Sequence, residues 1–258
     1  PNFRTSGDFS IAVTTAGSPS GVDVSALMMA EAIENTDGID AVQSVPIDLI
    51  PAFVDSAQAL GGNDSQSIVL GDVNGDGDLD IVVANASGES NRVYINDIND
   101  DGSIGVFTDS GQLLGANDSQ SVALGDVDGD GDLDVFVYNF AIGGFIRHHK
   151  NMSVERSGSC GLLDFEFVSR NWGYFEECDC HVYAFEEFGE TCGALAQARV
   201  MHPGGKSLLL IDMDNDGDKD FLGGHEQCDE LYYLENKGTA AEARMNEFSE
   251  DFPNPENP

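Results

Sequence analysis

Hydrophobic and polar positions alternate along the chain in a pattern that repeats. Residues 61–85 and 115–139 align without a gap at a period of 54 residues and are identical at 18 of 25 positions. Within each period, short apolar runs rich in β-branched residues are separated by segments rich in Gly, Asn, Asp and Ser. Such runs are typical of strands, and the polar segments between them are typical of tight turns. A fixed period of this length indicates a stacked or radial array of units.

Each period contains four predicted strands. In the first period they cover residues 67–70, 79–83, 92–95 and 105–108. Four short antiparallel strands in roughly 40 to 55 residues is the pattern of one β-propeller blade. The sequence therefore predicts an all-β fold, built as a β-propeller-like array of four-stranded antiparallel blades.

An aspartate-rich stretch precedes the second strand of each predicted blade, at residues 71–80, 125–134 and 211–220. Counted from its first Asp, oxygen-bearing side chains fall at positions one, three and five, Gly at six and Asp at nine. This spacing is typical of a calcium loop in which a backbone carbonyl is the ligand at position seven. We therefore expect about three calcium ions. The predicted metal ligands are Asp72, Asn74, Asp76, Asp78 and Asp80 in the first loop, Asp126, Asp128, Asp130, Asp132 and Asp134 in the second, and Asp212, Asp214, Asp216, Asp218 and Asp220 in the third.

The best-known alternative with this opening is the EF-hand. Its loop needs a glutamate at position twelve and a helix on each side. Position twelve is here Val83, Val137 or Gly223, and the residues after the first two loops are β-branched or aromatic, as is typical of a strand. The closing carboxylate is therefore assigned to position nine.

A fourth, weaker candidate follows the third predicted strand of the first blade. Asp97, Asn99 and Asp101 occupy positions one, three and five, but Gly105 stands where the closing carboxylate belongs. The stretch is interpreted either as a fourth calcium site or as a polar hairpin turn rich in Asp and Asn.

The stretch 125–134, Gly-Asp-Val-Asp-Gly-Asp-Gly-Asp-Leu-Asp, is followed by an apolar strand, and this combination resembles the FG-GAP or VCBS repeat family. The ending Leu-Tyr-Tyr-Leu-Glu-Asn-Lys-Gly-Thr at 231–239 is similar to that of its secreted bacterial members. The resemblance covers about residues 60–258. It implies calcium-binding hairpins in β-propeller blades, as in integrin α-subunit heads and bacterial surface proteins. It implies no single activity, because such blades occur in adhesins, carbohydrate-active enzymes and structural proteins alike.

The spacing of the loops indicates one insertion. The third loop follows the second by 86 residues, and 86 − 54 leaves about 32 residues beyond the repeat period. An Asp-containing stretch at 35–42 resembles an eroded copy of the loop without its metal. The predicted organisation is a single β-propeller-like domain at 1–252 with a linker-like tail at 253–258. Its parts are a degenerate blade at 8–60, blades at 61–114, 115–171 and 205–250, and a Cys-containing aromatic insertion at 172–204.

The aromatic residues of the predicted insertion have two interpretations. They could form a surface for sugar stacking or protein docking, or, as is more common, the small core that lets such an insertion fold. They are Trp172, Tyr174, Phe175, Tyr183, Phe185 and Phe188.

The chain has a formal net charge of −36, from 11 Lys and Arg against 47 Asp and Glu. This charge excludes nucleic acid and anionic membrane surfaces as partners, because both are bound through basic footprints. No run of 18 or more apolar residues occurs, so no membrane insertion is predicted. The first residues lack the basic and apolar pattern of a secretion signal, so we expect any such signal to lie outside this chain.

The five cysteines indicate disulfides and an extracellular location. Four of them lie within one window of 33 residues, while Cys228 stands apart. Such clustering is typical of an insertion stapled by disulfides in an oxidising compartment. Connectivity is open, and the odd number leaves at least one thiol without a partner in the chain. A transition-metal site at Cys178, Cys180 and His181 is disfavoured, because the usual ligand spacing is missing. The disulfide candidates are Cys160, Cys178, Cys180, Cys192 and Cys228.

The sequence contains no Ser-His-Asp arrangement, phosphate-binding Gly loop or metalloprotease motif, so no catalytic residue is predicted and the chain is not expected to be an enzyme. The favoured function is a secreted calcium-binding repeat protein for cell-surface adhesion or for interaction with protein or glycan. Three clear repeats and one eroded copy are few for a closed propeller, and open sheet edges favour self-association. The first alternative is therefore a subunit of an extracellular filament or surface layer. The second is the propeller scaffold of a polysaccharide-acting enzyme.

Overall fold

The computed structural model describes residues 30–35, 38–44, 56–97, 105–116, 118–139, 144–180, 182–186, 190–192, 205–226, 228 and 231–249. Residues 1–57 and 58–258 form two separate compact units. In the first unit, β1 (Ala30–Asn35) and β2 (Gly38–Ser44) pair antiparallel as a hairpin. Most of the predicted degenerate blade at 8–60 and the predicted tail at 253–258 lie outside the described residues.

Sheet 1 is formed by the first clear repeat. Its strands follow one another in antiparallel order: β3 (Ser65–Gly71), β4 (Asp80–Asn85), β5 (Ser90–Asp97) and β6 (Val106–Ala116). The four strands predicted from the apolar runs are confirmed. β4 is buried along almost its whole length, as expected for an apolar strand with neighbours on both sides.

Sheet 2 is formed by the second repeat and has five strands. They are β7 (Ser119–Gly125), β8 (Asp134–Asn139), β9 (Gly144–Asn151), β10 (Phe165–Asp179) and β11 (Val182–Phe185), each antiparallel to the next. A short helix, α1 (Ser153–Ser157), lies between β9 and β10. In the described part of the chain, no helix has the length and apolar character needed to cross a membrane.

β10 extends into the segment that the sequence predicted to be an insertion. It runs for 15 residues and continues past Trp172, where the aromatic insertion was expected to begin. The first part of β10 pairs with β9, and the last part pairs with β11. Trp172 and Phe175 are 6% and 0% exposed and pack between sheets 2 and 3. The start of the expected insertion is therefore part of sheet 2, because its aromatic side chains fill the space between two sheets.

Sheet 3 is formed by the third repeat. Its strands are β12 (Lys206–Ile211), β13 (Asp220–His225), β14 (Leu231–Asn236) and β15 (Met245–Ser249), again in antiparallel order. The described residues are thus all-β, with antiparallel sheets, as predicted.

Sheet 2 lies between sheets 1 and 3, and each of its faces contributes to a hydrophobic core. The first core, between sheets 1 and 2, is aliphatic and contains Val73, Val82, Ala84, Val93, Leu114, Val122, Val135 and Val137. The second core, between sheets 2 and 3, is rich in aromatic residues and contains Ala123, Val127, Phe136, Tyr138, Ile146, Trp172, Phe175, Leu208, Leu210, Phe221, Tyr232, Leu234, Ala243 and Met245. Burial of these side chains is the main force that holds the sheets together.

The first strands of neighbouring sheets approach one another closely, since β7 contacts both β3 and β12. A Cβ atom on Gly71 would lie 2.5 Å from Leu124 Cδ1 of the next sheet. A Cβ atom on Gly125 would lie 3.6 Å from Leu210 Cδ1, an ordinary contact distance. The approach between neighbouring first strands is therefore closer at Gly71 than at Gly125. The corresponding residue in sheet 3 is Ile211.

Two disulfides are present among the described residues, Cys178–Cys192 and Cys180–Cys228. The prediction of disulfide bonds is confirmed. Cys228, which stands apart in the sequence, is paired, whereas Cys160 of the cluster is free and half-buried. The Cys180–Cys228 bond joins the end of β10 in sheet 2 to the segment after β13 in sheet 3.

Candidate metal centres

Each sheet carries one aspartate-rich loop between its first two strands: loop 1 (72–79), loop 2 (126–133) and loop 3 (212–219). The turn in each loop uses left-handed backbone conformations at positions four and six. In loop 1 these are Gly75 and Gly77, with φ values of +74° and +96°. In loop 3 position four is Asn215, with φ of 60°, and Asn is among the few residues besides Gly that tolerate this conformation.

The aspartate at position one organises the loop backbone. In loop 1, Asp72 Oδ1 accepts hydrogen bonds from the backbone N–H groups of Gly75 at 2.7 Å and Asp76 at 3.1 Å. Its Oδ2 accepts one from the N–H of Gly77 at 2.9 Å. Asp126 and Asp212 accept similar bonds in loops 2 and 3. The motif spacing thus encodes a loop folded around a carboxylate, because short polar side chains bond nearby backbone groups.

The closing aspartates at position nine connect each loop to the third strand of its sheet. Asp80 Oδ2 accepts the N–H of Val73 at 3.0 Å, and Asp80 Oδ1 accepts the N–H of Asn96 in β5 at 2.8 Å. Asp220 accepts equivalent bonds from loop 3 and from β14. Asp80, Asp134 and Asp220 are only 0%, 1% and 1% exposed. Asp80 and Asp220 therefore each connect their loop to the third strand of the sheet, whereas Asp134 accepts the N–H of Asn151 in β9 at 2.8 Å and no hydrogen bond from loop 2 at its Oδ2.

Burial raises the pKa of all three closing carboxyls above the ordinary aspartate value. Backbone N–H bonds oppose this rise in Asp80 and Asp220, and His148 opposes it in Asp134. A buried carboxylate gains stability from a nearby positive charge, because that charge compensates for the water lost on burial.

The side chains at the odd-numbered positions converge. Asp126, Asp128 and Asp130 each present one carboxylate oxygen, and these three oxygens lie within 4.8 Å of one another. In loop 3, oxygens of Asp212, Asp214 and Asp220 meet the same limit. Carboxylate oxygens at this spacing fit a hard cation such as calcium, which takes six to eight oxygen ligands.

Loop 1 and loop 2 differ in whether their predicted ligand oxygens accept hydrogen bonds. In loop 1, Asn74 occupies position three, and its side-chain amide donates to Asp76 Oδ2 at 2.8 Å. In loop 2, the buried oxygens Asp130 Oδ2 and Asp132 Oδ1 accept no hydrogen bond. Orphaned buried oxygens are costly unless a cation compensates them, so these residues fit the predicted metal.

Position seven carries an aspartate in every loop, and the sequence analysis assigned its backbone carbonyl as a ligand. The side chain of Asp132 is 3% exposed, and its Oδ2 accepts the N–H of Val154 in α1 at 3.2 Å. The side chains of Asp78 and Asp218 are half-buried. The use of these carbonyls as ligands stays a prediction.

Two charged residues near loop 2 were missed by the sequence analysis. The Lys150 ammonium contacts Asp128 and Glu155 and lies 3.8 Å from Asp130 Oδ2. Burial lowers the pKa of Lys150, but its bonds to Asp128 and Glu155 outweigh that effect and raise it above the ordinary lysine value. The pKa of Asp130 is raised to about 6, chiefly by burial and also by the neighbouring carboxylates of Asp128 and Asp132, while the N–H of Asp132 opposes the rise.

His148 and His149 point to opposite faces of β9. His148 Nε2 lies 3.2 Å from Asp134 Oδ2, and its ring stacks on Phe136 at 4.5 Å between ring centroids. His149 contacts Phe167 instead. Burial, with smaller contributions from His148 and Arg147, lowers the pKa of His149 to about 4. His149 is therefore neutral near pH 7 and serves as packing.

A buried ion pair joins sheets 2 and 3 and had no signal in the sequence motifs. Glu177 of β10 and Lys206 of β12 are 5% and 9% exposed at their side chains, and the two charged atoms lie 2.5 Å apart. The same Glu177 oxygen accepts the Tyr138 hydroxyl at 2.5 Å. The Lys206 ammonium lies 4.6 Å from the centre of the Tyr138 ring. Pairing with several donors compensates for burial of the charge.

The other sequence-predicted sites are placed as follows. Asp97 is exposed at the end of β5, whereas Asn99 and Asp101 lie outside the described residues. Cys178 and Cys180 are bonded in disulfides, so neither thiolate is available as a metal ligand in this state.

The aromatic residues of the expected insertion fall into two groups. Trp172 and Phe175 belong to the second core, and Tyr183 and Phe185 pack against it. Tyr174 is 38% exposed and borders a groove of about 290 Å³ between β9, β10 and residues 241–243. Phe188 lies outside the described residues. Most of these aromatics therefore serve packing between sheets.

Together, consecutive antiparallel sheets with one aspartate-rich loop per sheet define an all-β repeat protein with candidate cation loops. Residues 72–137 match the family model of the FG-GAP-like repeat. The matched stretch runs from the first Asp of loop 1 into β8 and contains loops 1 and 2. The match supports an FG-GAP-like repeat at residues 72–137. Among curated proteins, none matches the chain.

Proposed function

We propose that this chain is a secreted, calcium-stabilised repeat module that serves cell-surface adhesion or interaction with protein or glycan. Its three sheets would be blades of a β-propeller, and calcium would have a structural role. The observation that carries the proposal is the buried closing aspartate of each loop, which in loops 1 and 3 is bonded to both the loop and the third strand and in loop 2 to the third strand. A cation held by such a loop would fix three strands at once.

The residues that would hold calcium are the side chains at positions one, three, five and nine of each loop, together with the carbonyl at position seven. The converging oxygens of loops 2 and 3 support this assignment. An ion that binds the folded loops and not the unfolded chain adds about 2.7 kcal/mol per site at a hundredfold excess over its Kd. Three such sites are comparable to the whole net stability of a domain, about 5–15 kcal/mol.

The test of the calcium role is metal analysis followed by thermal unfolding. We expect about three calcium ions per chain and a large fall in Tm when excess EDTA is added. Magnesium should restore little of the lost Tm, because Mg²⁺ demands a smaller and more regular octahedral site. Fewer than two ions per chain, or a Tm that EDTA leaves unchanged, would rule out the calcium role.

The extracellular location is proposed from the disulfides. Cys178–Cys192 and Cys180–Cys228 support an oxidising compartment, since disulfides persist there and are rare in the cytosol. We also propose that the chain is not an enzyme, because its converging carboxylates are accounted for by the metal loops. The groove beside Tyr174 is a place where a polysaccharide substrate could bind. A screen of polysaccharide substrates that detects turnover would overturn the non-enzymatic assignment.

A filament or surface-layer subunit is the second candidate, and the outer face of sheet 1 favours it. Ile68 and Leu70 of β3 are 63% and 54% exposed, whereas Val122 at the corresponding position of β7 is 4% exposed. Exposed apolar patches favour association with other surfaces. Sedimentation velocity in calcium tests this candidate: concentration-dependent growth that Ile68→Glu abolishes would support it, and a monomer at all concentrations would oppose it.

A further inference from the structure

Loop 2 is in contact with a side-chain cation from its own sheet. Lys150, on β9, is 21% exposed at its side chain and contacts Asp128 at position three and Glu155 of α1. Its ammonium is also 3.8 Å from Asp130 at position five. Two of the three carboxylates that converge in loop 2 therefore lie near an ammonium group. This group compensates negative charge that a divalent cation would otherwise compensate.

The repeats allow this position to be compared in all three sheets. Strand pairing aligns Arg147 with Val137 as it aligns Arg92 with Val83, so that Lys150 corresponds to Ile95. Both residues precede the asparagine whose N–H bonds the closing aspartate.

In sheet 3 the residue before that asparagine is Glu235. The residue at this strand position is thus apolar in sheet 1, cationic in sheet 2 and anionic in sheet 3. Position three of the loop is Asn74 in loop 1, Asp128 in loop 2 and Asp214 in loop 3.

We infer that Lys150 is a built-in counter-cation for loop 2, so that this loop holds its fold without calcium and binds calcium more weakly than loops 1 and 3. The inference rests on the proposed function for its calcium part. Calcium entering loop 2 must displace the ammonium from Asp128 and must approach a like charge. Without calcium, the same ammonium relieves the mutual repulsion of five aspartates in the loop 2 motif. Glu155 also contacts the ammonium, and one of its carboxylate oxygens lies within 4.8 Å of oxygens of Asp130 and Asp132, so the ammonium compensates Glu155 as well as the loop.

The decisive variant is Lys150→Met, which removes the charge and keeps an unbranched apolar stem. Calcium titration calorimetry on the metal-stripped full chain should resolve two tighter sites and one weaker site in the wild type. Lys150→Met should strengthen the weaker site about tenfold, the size expected for loss of one partly buried ion pair, and leave the other two unchanged. In metal-free buffer the same variant should melt at a lower temperature than the wild type.

Ile95 offers matched controls in sheet 1. Ile95→Met changes shape without charge and should leave the three calcium affinities unchanged. Ile95→Lys places an ammonium beside loop 1 and should weaken one of the two tight sites. Lys150→Arg keeps the charge and should retain the metal-free melting temperature of the wild type, which separates charge from packing.

The possible outcomes distinguish failure of the inference from failure of the proposed function. If Lys150→Met leaves the weak site unchanged in a chain that binds calcium, or leaves the metal-free melting temperature unchanged, the inference is overturned. If the wild type binds no calcium at all, the proposed function fails. The metal-free melting temperature then still decides the role of Lys150 as a counter-cation, since a fall supports that role and no change rejects it.

Discussion

The two faces of sheet 2 form cores of different kinds. The first core is made of Val, Ala and Leu side chains. The second core is built around aromatic side chains, contains the buried Glu177–Lys206 pair and is crossed by the Cys180–Cys228 disulfide. The first lies between two repeats that align without a gap, whereas the second lies where about 32 extra residues enter the chain. The interface between the regularly spaced repeats is uniformly aliphatic. The interface at the insertion also contains a buried ion pair and a disulfide bond.

The loops extend this contrast, because each loop packs into the core on its own side. Val73 of loop 1 lies in the first core, and Val127 of loop 2 lies in the second. Asn151 of sheet 2 donates its side-chain amide to the carbonyl of Val73 at 3.0 Å. In loop 3 the corresponding residue, Met213, is 40% exposed. A cation bound in loop 1 or loop 2, if the proposed calcium role holds, would therefore stabilise an interface between sheets as well as a hairpin.

Removal of Lys206 should be the most damaging change to the second core. Lys206→Met leaves the Glu177 carboxylate buried without its cation, and breaking a buried pair in this way costs about 3–5 kcal/mol. The free energy of unfolding from urea titration in saturating calcium measures the loss. For comparison, Val82→Ala in the first core removes two methyl groups and should cost roughly 2 kcal/mol.

The double variant Glu177→Leu with Lys206→Met separates the pair from its surroundings. Replacement of both charges by apolar groups should recover most of the stability lost in Lys206→Met, because no unpaired buried charge remains. If Lys206→Met alone costs less than the Val82→Ala control, the ion pair does not hold the second core together and the contrast between the two cores is wrong on this point.

The disulfide between sheets 2 and 3 should have the next largest effect. Cys180–Cys228 spans 48 residues, so removing it with Cys180→Ser and Cys228→Ser frees a long loop in the unfolded chain. The expected loss is about 2–4 kcal/mol. Cys160→Ser is the matched control, because Cys160 is free, and it should change the free energy of unfolding by less than about 0.5 kcal/mol. Equal effects of the two changes would contradict a stabilising role for the disulfide.

The sequence predicted the regularly repeated part of the fold. The 54-residue period located the strands of sheet 1 and the first three strands of sheet 2, and the oxygen spacing located loops that are folded around Asp72, Asp126 and Asp212. These features are local, since they depend on residues within a few positions of one another. The FG-GAP repeat was recognisable for the same reason.

The irregular half depends on contacts between distant residues, and no local pattern encodes them. Glu177 meets Lys206 across 29 residues, and Cys180 is bonded to Cys228 across 48. The aromatic run around Trp172 and Phe175 was interpreted as a separate insertion, because aromatic residues fill a small core and a gap between sheets equally well. Lys150 could have been found by aligning the residues before the asparagines of the third strands, since it replaces Ile95 there.

Two glycine substitutions test how closely neighbouring sheets approach each other at the two cores. Gly71→Ala places a methyl group 2.5 Å from Leu124 Cδ1 and should cost about 1 kcal/mol, because a leucine tip must move. Gly125→Ala meets Leu210 at 3.6 Å and should be neutral or slightly stabilising, since alanine restricts the unfolded chain more than glycine does. Urea titration of both variants measures the difference. If Gly125→Ala is the more damaging change, the first core is not the tighter one at this position.

The smallest expected effect is a pH dependence of stability that arises in loop 2, at the edge of the second core. The pKa of Asp130 is about 6 in the folded chain against an ordinary value of 3.8, chiefly because the carboxyl is buried. Between these values the folded chain binds more protons than the unfolded chain, so the metal-free protein gains stability as the pH falls through about 6. This contribution is complete below pH 3.8 and is lost as the pH rises through about 6.

Thermal melts of metal-stripped protein from pH 5 to pH 8 measure this dependence. Asp130→Asn removes the titrating group and should flatten part of the change in Tm across this range, because its amide is neutral throughout. Asp76→Asn, at the same position of loop 1, is the matched control and should leave the dependence due to loop 2 in place. If Asp76→Asn flattens the profile as much as Asp130→Asn does, the pH sensitivity does not arise in loop 2, and the two loops are equivalent in this respect.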